Sequence, residues 1–116
     1  MNYSATRVRY MYCDASNYKF FGAFVLSGQF ALESISDTLD AGEFFVPERV
    51  GLPSLVPKCQ NEDDHWLHTF LEAEPCSDEY GALCSTAEFL RRMKAAAAEG
   101  WFVLDDEGVQ RPRRFQ

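Results

Sequence analysis

An α+β fold, with a mainly antiparallel sheet of about four to five strands and two helices packed on one of its faces, is what the sequence predicts. Three observations carry that reading. Residues 7–13 alternate apolar and polar side chains and lead, through a turn, into an apolar run over residues 18–26. Two later stretches, 32–41 and 85–100, repeat their apolar residues at helical spacing. The length of 116 residues, with 47% hydrophobic and 15% aromatic residues, suits a single domain with one core that needs no staples.

Val8, Tyr10 and Tyr12 share one face of the first strand, and Arg7, Arg9 and Met11 the other. Asp14 to Asn17 is a turn, because Asp and Asn bond their own backbone and tolerate left-handed geometry. Tyr18 to Leu26 is apolar on both faces, which predicts a central strand covered on two sides. Leu32, Ile35 and Leu39 predict a helix over 32–41, with Gly42 as its left-handed cap. Phe44 to Val46 reads as a short buried strand, and the proline-rich stretch 47–57 as a structured loop. His65 to Leu71 alternates Trp66, His68 and Phe70 against Leu67, Thr69 and Leu71, so it is expected as a strand. Pro75 and Gly81 bracket a loop. Ser85 and Glu88 form a capping box, and Phe89, Leu90, Met93 and Ala97 make the inward stripe of a helix ended by Gly100. Trp101 to Leu104 is the last expected strand, and residues 109–116 an arginine-bearing tail that frays. Tyr10, Tyr12, Phe20, Phe24, Leu26, Ile35, Leu39, Phe44, Trp66, Phe70, Phe89, Leu90, Met93 and Trp101 are the expected core.

The net charge is −7, and it is unevenly spread. Residues 33–79 hold twelve acids and two bases, while the flanks are slightly basic. The acids are densest in Glu62, Asp63 and Asp64, and in Glu72, Glu74, Asp78 and Glu79, on loops at opposite ends of the expected Trp66–Phe70 strand. Such a balance argues against direct nucleic-acid binding, which needs Lys and Arg to neutralise phosphates. Dense carboxylates solubilise a small domain, and they also steer a positive surface into contact. Those seven residues are therefore the expected interaction surface for a basic protein, including one whose own ligand is nucleic acid. The chain is expected to act as a monomer or homodimer.

No apolar run is long enough to span a membrane, and the first residues lack a secretory apolar stretch, which predicts a cytoplasmic protein. Its cysteines, Cys13, Cys59, Cys76 and Cys84, are then expected as thiols. A zinc site would recruit Cys59, His65, His68, Cys76 and Cys84, but the cysteines lie 17 and 8 residues apart rather than in tight pairs. No metal and no cofactor are expected. No phosphate loop, nucleophile elbow or defined pair of catalytic carboxylates is present. The remaining polar groups that a site would use are Asp14, Asn17 and Lys19 at the first hairpin, with His68. Turn closure explains Asp14 and Asn17 equally well, and Lys19 suits a strand edge.

Tyr10-x-Tyr12-x-Asp14-Ala15-x-Asn17-Tyr18-Lys19, then Gly42-Glu43-Phe44-Phe45 and Trp66-x-His68-x-Phe70, resembles a group of small bacterial proteins that share the hairpin and the Gly-x-Phe-Phe segment. The likeness covers residues 8–70 and implies a bacterial or phage origin; it brings no activity and no site residue with it. Two functions stay open. One is an interaction domain that inhibits or neutralises a basic partner, in the manner of immunity or anti-defence proteins. The other is a small ligand-binding domain or enzyme with a polar site near Asp14, Lys19 and His68.

Overall fold

The computed structural model describes residues 4–14, 17–56, 67–77, 81–104, 106–108 and 110–112. The first hairpin forms as its alternation dictates. β1 (Ala5–Cys13) and β2 (Lys19–Ser27) pair antiparallel, with Tyr12 opposite Phe20 and Tyr10 opposite Gly22. Thr6, Val8, Tyr10 and Tyr12 are buried, whereas Arg7 and Arg9 are exposed on the other face. With β3 (Phe44–Phe45), β4 (His68–Cys76) and β5 (Cys84–Ser85) they build a sheet in the order β3-β4-β1-β2-β5. All its pairings are antiparallel except β2 with β5. The fold is α+β with a mostly antiparallel sheet. β1 is the central strand, not β2, and on the uncovered face of β2 the Phe21 side chain is 56% exposed.

β4 runs further than its sequence suggests. Beyond Phe70 the pairing with β1 slips by one residue between Arg9 and Tyr10, so Leu71 is the extra residue of a bulge. The slip reverses the alternation: His68 and Phe70 point toward the core, and after it Ala73 does, opposite Val8. Glu72 and Glu74 therefore lie on a strand, opposite Arg9 and Arg7, and not in a loop. Pro75 is likewise inside β4, where no strand pairs on its far side among the described residues and a missing N–H is tolerated.

The expected helix over 32–41 is instead a 3₁₀-helix, Leu32–Thr38. Its hydroxyls explain the tighter winding. Ser34 Oγ donates to the Ala31 carbonyl (2.6 Å), Ser36 Oγ to Glu33 (3.0 Å) and Thr38 Oγ1 to Ile35 (2.6 Å). Each bond spans three residues, the 3₁₀ interval, and competes with the α-helical ladder. Ala41 (φ 53°) and Gly42 (φ 72°) are left-handed, and they form the tight turn that brings Phe44 back against Asp40 rather than a helix cap. A second 3₁₀ turn, Pro47–Val50, opens on the proline that suits that position and closes on left-handed Gly51.

α1 (Thr86–Glu99) starts where Ser85 Oγ accepts the Glu88 N–H at 3.1 Å. The box is completed differently from expectation, because the Glu88 carboxylate turns to Arg91 and Arg92. Arg91 above all holds that carboxyl down to about 2, well below the usual carboxylate range. The buried stripe is Phe89, Met93 and Ala96, while Ala97 faces solvent. Those side chains join Val8, Tyr10, Phe24, Leu26, Ile35, Phe45, Val46, Val50, Leu52 and Trp101 in one core.

Phe20, Leu39, Phe44, Phe70 and Leu90 are only partly buried, and it is Phe45, not Phe44, that is fully enclosed. Trp66 lies outside the described residues. Trp101 is pinned by its indole N–H, which donates to the Thr38 carbonyl at 3.1 Å. After it, β6 (Phe102–Leu104) leaves the main sheet and pairs with β7 (Gln110–Pro112) in a separate ribbon, so part of the expected tail is a strand. Among the described residues no helix is long and apolar enough to cross a membrane.

Candidate functional site

The four polar groups singled out in the sequence do not converge. Asp14 and Asn17 close the first hairpin: Asp14 Oδ1 accepts the Tyr18 N–H at 2.9 Å, and the Asn17 N–H reaches the Asp14 carbonyl at 3.0 Å. Asn17 takes the left-handed conformation (φ 68°) that the turn requires. Lys19 lies opposite Cys13, on the face away from the core, and is exposed. His68 is on the opposite face, beside Tyr12, and is fully buried. Its ring lies 5.0 Å from that of Tyr12 and 6.0 Å from that of Phe45. Nε2 accepts the Leu55 N–H at 3.1 Å, so His68 fastens the 52–56 loop to the sheet. That acceptor role places the proton of the neutral ring on Nδ1. His68 is a structural histidine here and offers no face to a ligand.

The acidic residues divide in two. Glu62, Asp63, Asp64, Asp78 and Glu79 lie outside the described residues. Glu72 and Glu74 are neutralised across the sheet, Glu72 by Arg9 at 2.8 Å and Glu74 by Arg7 at 3.8 Å. Their field is that of a pair, not of a lone anion, and exposed pairs of this kind contribute about 0–1 kcal/mol to folding. Glu99 is bound by the buried Arg49 at 2.7 Å.

Four other carboxylates behave differently. Glu33, Asp37, Asp40 and Glu43 are exposed on the 3₁₀-helix and the turn after it, with no ion-pair partner among the described residues. They follow one another at intervals of three or four residues. Glu33 and Glu43 line a cleft of about 760 Å³ between that segment and the ends of β1, β3 and β4. Its apolar lining includes Met11, Leu32, Leu39, Phe44, Leu67 and Phe70. Cys13, Asp14, Ser36 and Thr69 add polar atoms, and among the described residues no Lys, Arg or His lines it. Its strand wall is built from Phe44 of the two-residue β3, Thr69 and Phe70 of β4, and Met11 and Cys13 of β1. In the sequence this rim is overshadowed by the denser acidic runs at 62–64 and 72–79. The regular spacing of Glu33, Asp37, Asp40 and Glu43 along one short segment was the available signal.

Among the described residues no group of three or more His, Cys, Asp or Glu side chains is placed to hold a metal ion. Cys13, Cys76 and Cys84 are free thiols, and burial pushes the Cys84 thiol up, away from the reactive thiolate.

Tyr10 is a buried group whose titration the fold shifts strongly. Its hydroxyl donates to the Pro53 carbonyl at 2.8 Å, and burial, with Glu48 nearby, pushes its phenol up to about 12. The folded state thus keeps a proton that the unfolded chain releases from about pH 10 upward. This contribution to stability is complete below pH 10 and is lost as pH rises toward 12. Urea unfolding followed across that window should show a smaller pH dependence for Tyr10→Phe than for the parent. Equal slopes would remove Tyr10 as the cause.

Set against family models, curated proteins and solved structures, the chain matches none of them.

Proposed function

We propose that this chain is a small acidic interaction domain for a basic protein partner, and that the cleft beside Glu33 and Glu43 receives it. One observation supports this above the others: an open apolar floor is bordered by Glu33 and Glu43, neither of which has an ion-pair partner among the described residues. Lys and Arg side chains suit such a cleft. Their aliphatic stems cover apolar surface while their charged heads stay at a wet, anionic rim. The rim also speeds encounter with a positive surface and penalises an acidic one. A partner whose basic face otherwise meets phosphates would be occupied, which is how an inhibitor or neutraliser works.

The test uses two fluorescent peptides of equal length, one alternating lysine with leucine and one alternating glutamate with leucine. The lysine peptide should bind, and added salt should weaken it. Glu33→Gln combined with Glu43→Gln should reduce that binding and flatten its salt dependence while thermal stability stays within about 0.5 kcal/mol of the parent. Equal binding of the two peptides, or identical binding by parent and double variant across the salt series, would reject the cleft as the site.

A further inference from the structure

Among the described residues the sheet has two incompletely paired edges, and they are defended very differently. Beyond the two residues of β3, the edge of β4 carries the bulge at Leu71, the charges of Glu72 and Glu74, and Pro75. These are the devices that keep a strand edge from recruiting another chain. Among the described residues the edge of β2 is covered only from Val25 to Ser27, by Leu83 and β5. Over Lys19 to Phe24 it has Lys19 alone as a guard, and from Ala15 to Leu32 the chain contains no acidic residue. A protein of net charge −7 therefore offers one neutral-to-positive strand at an open edge.

The backbone there is oriented for pairing. The Asp14 N–H bonds to the Tyr18 carbonyl at the hairpin end, so the even-numbered residues of β2 face β1. Val25, an odd one, turns its carbonyl outward to the Leu83 N–H at 2.8 Å. By the same alternation, Lys19, Phe21 and Ala23 direct N–H and C=O away from β1, and none of these meets a described partner.

We infer that β2 pairs antiparallel with β2 of a second copy of this chain, about a two-fold axis at Phe21. That register places Phe21 opposite Phe21 of the second copy and Lys19 opposite its Ala23. It makes about six main-chain hydrogen bonds, two for each facing pair. No like charges oppose one another, and the two 56%-exposed Phe21 rings cover each other. The contact is isologous and closed, so it ends at a dimer with a continuous sheet. β2 lies on the far side of β1 from the β3–β4 edge that borders the cleft, so this inference stands or falls independently of the proposed partner site.

Sedimentation equilibrium of the full chain under reducing conditions, from micromolar to millimolar concentration, tests it. The parent should be a dimer that tightens with added salt, because screening relieves repulsion between two acidic copies. Phe21→Lys places two like charges on the axis, and Ala23→Pro removes an outward N–H; both should sediment as monomers. The far-UV spectrum should match the parent in each, since neither change touches the core. If Ala23→Pro alters the spectrum, Phe21→Lys decides alone. A parent that stays monomeric throughout, or a dimer that survives Phe21→Lys, would overturn the pairing.

Discussion

Replacing Phe45 by alanine should cost about 3–5 kcal/mol and lower the thermal midpoint by roughly 10–20 °C. Phe45 is fully buried at the centre of the aromatic cluster. Its ring stacks on Phe70 at 3.9 Å and meets the edges of Tyr10 at 5.9 Å and Trp101 at 6.5 Å. The size of the loss depends on how far those neighbours can close the void. Two of them are tethered, Tyr10 through its hydroxyl to the Pro53 carbonyl and Trp101 through its indole to the Thr38 carbonyl. Collapse would break one of these bonds, so the void stays open and the cost lies in the upper part of the range. Phe44→Ala is the control. That side chain is partly exposed at the cleft and should cost about 1 kcal/mol in the same urea titration. Equal costs for the two would mean that β3 presents the other face to the core.

The pair of neighbouring phenylalanines marks the limit of what was legible in the sequence. A strand of two residues has no period, and nothing in Glu-Phe-Phe-Val says which ring points inward. The β1–β2 hairpin was legible for the opposite reason: the alternation over residues 7–13, a turn of Asp and Asn, and a second apolar run leave one register. α1 was legible from its cap and its stripe. The 32–38 segment misled because Leu32, Ile35 and Leu39 satisfy a helical spacing equally well in α and in 3₁₀ form. The difference lies in three hydroxyls bonding three residues back.

The candidate site was legible in its charge and not in its geometry. A count of acids does not say which carboxylates are neutralised. For Glu72 and Glu74 the answer depends on a long-range register and on a bulge that turns both toward Arg9 and Arg7. His68 looked available because its own strand mixes polar and apolar residues. Tyr10, Tyr12 and Phe45 enclose it, and they come from two other strands. The cleft is lined by residues of β1, β3, β4 and the 3₁₀-helix, brought together by long-range pairing that no local pattern encodes.

Gly22→Ala should destabilise the fold by about 1–3 kcal/mol, although alanine in a strand ordinarily gains about 0.5–1 kcal/mol over glycine. The sign is set by Tyr10. Gly22 faces it across the β1–β2 pair, and a Cβ there would lie 2.9 Å from two atoms of the Tyr10 ring and 3.0 Å from Leu55 Cδ2. An exposed ring would swing aside at little cost. This one is 1% exposed, wedged against Phe24 and Phe45, and held at its far end by Pro53. The strain is therefore specific to the pair, and a double-mutant cycle isolates it. In a Tyr10→Leu background the ring is gone, and Gly22→Ala should become neutral or mildly stabilising, a coupling of about 1–3 kcal/mol between the two positions. Urea denaturation of the four proteins supplies the numbers. Costs that simply add would show that Tyr10 yields to the methyl group, and that the close approach of its ring to β2 is not what requires glycine at this position.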